Sequence, residues 1–350
     1  MLKYKNAPSA LSRSLLLVVA FSVLLLNTGC GLLNTHKKVQ VPQLLSPLSQ
    51  APKERLIEEV NKLSVIKSLH AKVDVQFEDT SFASVGIADK YRQVDGSVTL
   101  QRPGKIYLVI QLLFVDIVQM ASDGERFGVA VLQGDEKYRR FVKGTNSAKY
   151  AKLETEPPAD PKKDDKKKSE KETVSALSNL RPQHLTDALL VRPIELSNGF
   201  VYAQSEFFQE EADPRRGAKK ESRVMRGYYL LDEFSQPTPG NAQLRRRFWF
   251  DRVGGIRLAR VQTFDDQGLL VTDVSYHSSK PFGPAGVASL PSRVEITRPQ
   301  DQYKLSISYQ DPASVELNQE YPPQAFVLEN KWGLKEVDLD AQNRKVTANH

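Results

Sequence analysis

One residue in this 350-residue chain carries a thiol, Cys30. A thiolate nucleophile needs a base and an orienting partner, so what Cys30 does depends on its neighbours. The other chemistry-bearing residues do not assemble into a motif. The five histidines (His36, His70, His184, His277, His350) are scattered, with no H-E-x-x-H and no pair at helical metal spacing. There is no G-x-S-x-G elbow and no glycine-rich phosphate cradle. Asp338-Leu339-Asp340 begins like a calcium loop but lacks the glycine and the closing glutamate. Asp265-Asp266 reads as turn chemistry. Arg245-Arg246-Arg247 beside Phe248-Trp249-Phe250 is the one local basic-aromatic cluster. It suits an anionic surface, or solvated arginines with stems packed on rings. The expectation is a non-enzyme with no catalytic residue, no metal site and no cofactor.

The segment before Cys30 gives it a role. Lys3, Lys5 and Arg13 precede an apolar run, Leu15 to Leu26, interrupted only by Ser22. Such a run is too short for a hydrocarbon core that needs about 20 residues. It reads as a secretory signal over residues 1–29. The junction Leu26-Asn27-Thr28-Gly29-Cys30-Gly31 resembles a bacterial lipobox, with Asn27 where that family prefers leucine. The resemblance implies that Cys30 is diacylated and becomes the mature N-terminus. The alternative is ordinary signal cleavage with Cys30 incidental.

Charge adds little. The chain holds 49 Lys+Arg and 42 Asp+Glu, net +7, and three of the basic residues precede Cys30. No clustered basic face suggests nucleic acid. With Cys30 modified, no disulfide is available, so an ordinary core must hold the domain.

Residues 30–52 are polar and proline-rich and read as a flexible tether. The domain is placed at 53–340, with a tail at 341–350. Leu56, Val60, Leu63, Ile66 and Leu69 recur at helical spacing. Strand alternation follows from His70, with Val73, Val75 and Phe77, and again over 94–101. Arg102-Pro103-Gly104-Lys105 is a turn and Asp123-Gly124 a hairpin signal. Ile106 to Val118 is nearly continuously apolar and too long for one strand, with a bend expected near Asp116. Lys152 to Glu172 holds seven lysines, seven acids and three prolines. It is expected to be a disordered loop. Val174, Leu177 and Leu180 suggest a short helix, and Pro182 opens another with Leu185, Ala188 and Leu189 inward. Gln209 to Arg223 reads as a second polar loop. Leu244–Asp251, Ile256–Phe264, Leu269–His277, Arg293–Thr297 and Tyr303–Tyr309 form a meander.

In order along the chain stand a helix, then Gly96-x-Val98-x-Leu100-x-Arg102-Pro103-Gly104-Lys105-Ile106-Tyr107, then Ser122-Asp123-Gly124. Near the end come Leu317-Asn318-Gln319, Pro322-Pro323, Phe326-Val327-Leu328 and Trp332-Gly333. This order resembles the LolA/LolB-like superfamily of bacterial lipoprotein and lipid carriers. The resemblance implies a mainly β fold: a curved antiparallel half-barrel with covering α-helices. It also implies a cell-envelope lipoprotein on the periplasmic face, at the outer membrane since Gly31 is not an acidic retention signal. Implied partners are the membrane through the anchor, a lipid or acylated lipoprotein ligand, and a soluble lipoprotein carrier.

An apolar concave face that is poorly filled can take an acyl chain. The gain is about 0.8 kcal/mol per methylene, or roughly 10 kcal/mol for sixteen carbons before ordering losses. The concave-facing set is expected to be Val98, Leu100, Ile106, Leu108, Ile110, Phe248 and Phe250, with Leu56, Val60 and Leu63 under the helical lid. The alternative is that the same residues form an ordinary filled core, as an apolar face more often does. In that case the chain is an envelope structural or sensory module that binds another protein.

Overall fold

The computed structural model describes residues 41–80, 89–90, 93–133, 136, 139–148, 150, 180–196, 199–238, 241–284 and 286–348. Cys30, the apolar run before it, the charged run 152–172, Val174 and Leu177 lie outside the described residues. Two units are distinguished, Met1–Gln43 and Leu44–His350. Of the first, residues 41–43 are described. The second carries the fold.

Helix α1 is Lys53–Ser64. Five strands follow as an up-and-down meander: β1 Ser68–Asp79, β2 Val94–Gln101, β3 Lys105–Leu112, β4 Val115–Asp123 and β5 Arg126–Val131. Then come β6 Arg140–Thr145, helix α2 Pro182–Leu189, β7 Val201–Ala212 and β8 Arg223–Thr238. The second half continues with β9 Asn241–Asp251, β10 Arg257–Phe264, β11 Leu270–Phe282, β12 Ala288–Arg298 and β13 Tyr303–Tyr309. It ends with β14 Lys335–Asp338 and α3 Leu339–Ala348.

These strands form one sheet in the order β14-β6-β5-β4-β3-β2-β1-β13-β12-β11-β10-β9-β8-β7. Every neighbouring pair among them is antiparallel except β14 with β6. Period-two alternation carries one apolar row across it. Cross-strand partners Leu100 and Ile106, Val98 and Leu108, Leu108 and Met120, Met120 and Val129, and Val129 and Val142 share a face. Leu231, Phe248, Val261, Val274, Ile296 and Leu305 continue it on the other half. All are buried.

The sheet is curved toward that face. Helix α2 touches β3, β4 and β12. In a flat sheet β4 and β12, five steps apart, would stand about 24 Å from each other. A helix about 10–12 Å across meets both only if the strands wrap around it. Gly96 on β2 permits part of this. A Cβ there would lie 2.6 Å from the Val109 carbonyl oxygen on β3, so any side chain would force the strands apart.

The fold class agrees with the expected one, and several boundaries move. The first helix ends at Ser64, and Ile66 and Leu69 belong to the turn and to β1. Gln209–Ala212 is strand rather than loop, because β7 is an exposed edge whose acids pair across to β8, Glu210 with Arg223 and Glu211 with Arg226. Only residues 213–222 form the connection. The segment expected as a tail continues α3 as far as Ala348. The tether does not run to residue 52. The Leu45 amide donates to the Met225 carbonyl and the Ser49 amide to the Arg252 carbonyl. The Arg252 side chain, 1% exposed, donates from Nε to the Ser49 carbonyl at 3.0 Å and stacks over Tyr229. A buried guanidinium thus fastens the proline-rich stretch along β8 and β9.

Candidate functional site

The concave face is covered by two short helices. Under α2 lie Val98, Leu100, Ile106, Leu108 and Ile110, in one cluster with Leu185, Ala188, Val294 and Ile296. Under α1 lie Phe248 and Phe250, in a second cluster with Leu56 and Val60, against which Leu63 packs. The ten residues expected to face a cavity therefore share one face but divide into two patches. Nine of them are buried and Leu63 is half-buried. Tyr276 packs against both clusters and donates its hydroxyl to the Ala188 carbonyl at 3.1 Å. Where the patches meet, an apolar crevice of about 20 Å³ is lined by Leu63, Ile66, Leu69, Leu190, Tyr276 and Val294, among others.

The cover is held by few polar tethers. Arg102, at the β2–β3 turn, donates from Nε to the Ile66 carbonyl at 2.9 Å and from Nη2 to the Val191 carbonyl at 2.7 Å. It ties the exit of α1 to the exit of α2. Burial lowers its pKa, Asp187 opposes that shift, and Arg192 adds to it. Asn61 on α1 donates to the Ile194 carbonyl at 3.1 Å and accepts from the Ile194 amide at 2.8 Å. Outside Arg102 runs an open groove of about 1000 Å³, with Phe248 and Val261 on its floor and Asp187 and Arg246 among its lining residues.

The entry to α2 is electrostatically loaded. His184 is pushed well below its ordinary value by burial, then by Arg298 and Arg181. Its Nδ1 lies 3.5 Å from the Tyr303 hydroxyl. Arg298 is held by Asp301 at 2.7 Å and by Thr272 at 2.6 Å. Arg181 stacks over Phe127 and Tyr150.

The bend expected near Asp116 lies at Leu113-Phe114, and Asp116 sits within β4, accepting from Gln111 at 2.7 Å and Gln119 at 2.6 Å. Leu112 pairs with Val115, leaving a two-residue hairpin loop. Leu113 and Phe114 have φ of 49° and 68° and are 76% and 97% exposed. Two positive φ values are what a type I′ turn demands, and Asn-Gly normally supplies them. Leucine and phenylalanine supply neither easy left-handed backbone nor solubility. Sequence reasoning placed the bend near Asp116 and missed Leu113-Phe114 as its tip, because a nearly continuous apolar run without Gly, Asn or Pro carries no turn signal.

The remaining candidates resolve into structure. Arg246 is bidentate to Glu233, which also accepts from Tyr202. Arg247 is bidentate to Asp232, and Arg245 pairs with Asp266. With all three arginines paired to acids, the cluster offers no unopposed positive charge. Asp340 accepts from Thr145 and Tyr150, and Asp338 caps the amide of Ala341. Among the described residues no group of three or more His, Cys, Asp or Glu could hold a metal, and no helix is long and apolar enough to cross a membrane.

No protein-family model matches the chain, and no curated protein does. Solved structures do. A LolA superfamily protein from Nitrosomonas europaea aligns at 9% identity and a TM-score of 0.39, covering 80% of this chain and 99% of its own. A DUF1329 family protein from Desulfovibrio piger aligns at 10% and 0.38, covering 78% and 95%. A domain from Vibrio parahaemolyticus, carrying the description of an outer membrane lipoprotein-sorting protein, aligns at 10% and 0.40, covering 78% and 94%. At these identities and scores the likeness bears on no ligand, partner or activity.

Proposed function

We propose that this chain is a lipid-anchored, non-catalytic carrier of the bacterial envelope. It holds an acyl chain, free or on a lipoprotein, under α1 and α2 and exchanges it where the Leu113-Phe114 tip meets a membrane. In this reading Cys30 carries the anchor, the domain faces the periplasm at the outer membrane, and a soluble lipoprotein carrier delivers the ligand. The acyl chain enters at the crevice beside Leu63 by prising α1 from α2 against the Arg102 tether.

The tip carries the proposal. A left-handed L-residue costs about 1–2 kcal/mol, and a fully exposed phenylalanine adds nothing to folding. Strain retained where an Asn-Gly turn would be easier is a mark of function. Each of the two side chains gains roughly 1.5–3 kcal/mol on entering an apolar phase. That is too little to hold a protein on a bilayer alone, and enough to orient an anchored one.

The double variant L113N/F114G tests this. Its turn is better suited to the hairpin, so thermal melting rises while docking to phospholipid vesicles and acyl transfer are lost. A variant that melts lower, or docks unchanged, sinks the reading.

The tight packing of nine of the ten expected cavity residues favours a second reading, a filled-core module that binds another envelope protein. Native mass spectrometry of the chain made in a bacterial periplasm separates the two. A co-purifying lipid mass supports the carrier, and a clean apo mass with no uptake of phospholipid or acylated peptide supports the module.

A further inference from the structure

At the base of the hairpin tip lies a second open groove, of about 590 Å³, lined by Phe114, Val115, Asp116, Arg139, Trp332 and Leu334, among others. Its chemistry differs from that of the apolar face. Among the described residues, the buried Nε of Arg139 has no hydrogen-bond partner. A guanidinium with an unused donor is built to meet an anion. Among the described residues the one carboxylate lining the groove is Asp116, which is occupied by Gln111 and Gln119. Trp332 is half-buried there, and the Lys331 ammonium lies 5.1 Å from the centre of its ring. The apolar Phe114, the Trp332 indole and the Arg139 guanidinium line one groove, and they are the three kinds of group that acyl chains, interface and phosphate of a leaflet would meet.

We infer that Arg139 is a headgroup site: when the tip enters a leaflet, its guanidinium takes the phosphate of a glycerophospholipid, with Trp332 at the interface and Lys331 supporting. This rests on the tip reading above and goes further, because it makes docking depend on lipid phosphate and not on apolar insertion alone. The hydrogen bond that Nε donates to a phosphate oxygen fixes the headgroup beside Phe114 and so sets the depth to which the tip enters.

The test uses the full chain in vesicles, in a Trp249→Phe background that leaves Trp332 as the only tryptophan. Quenching of Trp332 by lipids brominated near the headgroup reports the docked fraction. One set of vesicles is phosphatidylethanolamine with phosphatidylglycerol, and the other is a phosphate-free galactolipid. Arg139→Gln is expected to lower the docked-to-undocked ratio about five-fold on phospholipid, the weight of one cation at a lipid surface. On galactolipid it changes nothing. Arg139→Lys, which keeps the charge, retains the preference for phospholipid and guards against a glutamine variant that does not fold. Equal docking of Arg139→Gln and its parent on phospholipid, with melting unchanged, overturns the headgroup site and leaves the tip reading intact. Loss on both lipids alike overturns it too, since phosphate is then irrelevant. A parent chain that is quenched by neither lipid removes the tip reading, and this inference with it.

Discussion

Arg102 donates to the carbonyl of Val191 at 2.7 Å, joining the end of β2 to the segment that leaves α2. The same side chain holds the carbonyl of Ile66 behind α1. One residue therefore fastens both helices over the apolar face. Charge-assisted hydrogen bonds of this kind contribute about 1.5–3 kcal/mol.

Removing that tether should loosen the cover before it unfolds the sheet. Arg102→Leu is predicted to lower the melting temperature and, in the folded protein, to speed uptake of a fluorescent fatty acid several-fold. Stopped-flow uptake below the melting transition checks it. Unchanged uptake in a folded variant means that the helices do not gate the face.

The crevice beside Leu63 offers a more local test. Leu63 is half-buried at its edge, so Leu63→Trp fills the gap without placing a charge in the core. It is predicted to leave melting nearly unchanged and to abolish acyl uptake. Uptake at the parent rate would move the ligand elsewhere on the chain.

Stability should fall in acid in two stages. Folding keeps His184 neutral, so the unfolded chain binds its proton more readily. The contribution is complete above the unfolded value of about 6.5 and declines as pH drops below it, by at most about 1.4 kcal/mol per pH unit. His184→Gln should flatten that limb. The groups facing it are Arg181, Arg298 with Asp301, and Tyr303. Glu295 acts lower. Its hydrogen bond with His277, then Lys304 and Arg293, bring it to about 2. Its contribution is present above about 4.5 and is lost as pH falls toward 2. Glu295→Gln should remove the second limb only. Melting temperature against pH reads both.

Much of the architecture was legible from local chemistry. Val98, Leu100, Ile106 and Leu108 alternate with half-buried, mostly polar neighbours, and one buried face follows from that period. Asp123-Gly124 announced its hairpin because Gly124 takes a φ of 104° that few other residues accept. The amphipathic stripe of α1 announced a helix needing a surface. Less was legible for the end of β7, where Glu210 and Glu211 look like loop residues because their partners lie on β8.

The sequence by itself determined the strand-rich class, the two covering helices and an apolar face of the right register, since each rests on contacts between near neighbours in the chain. Only the tertiary structure decided that this face is divided between α1 and α2. It alone brought Arg102 to Val191, 89 residues away, and left the buried Arg139 Nε without a partner among the described residues, on a side chain that lines one groove with Trp332. It also turned Leu113 and Phe114 outward. A side chain's partner across the sheet, and whether an apolar residue finds one, depend on how the strands wrap, and no local pattern encodes that closure.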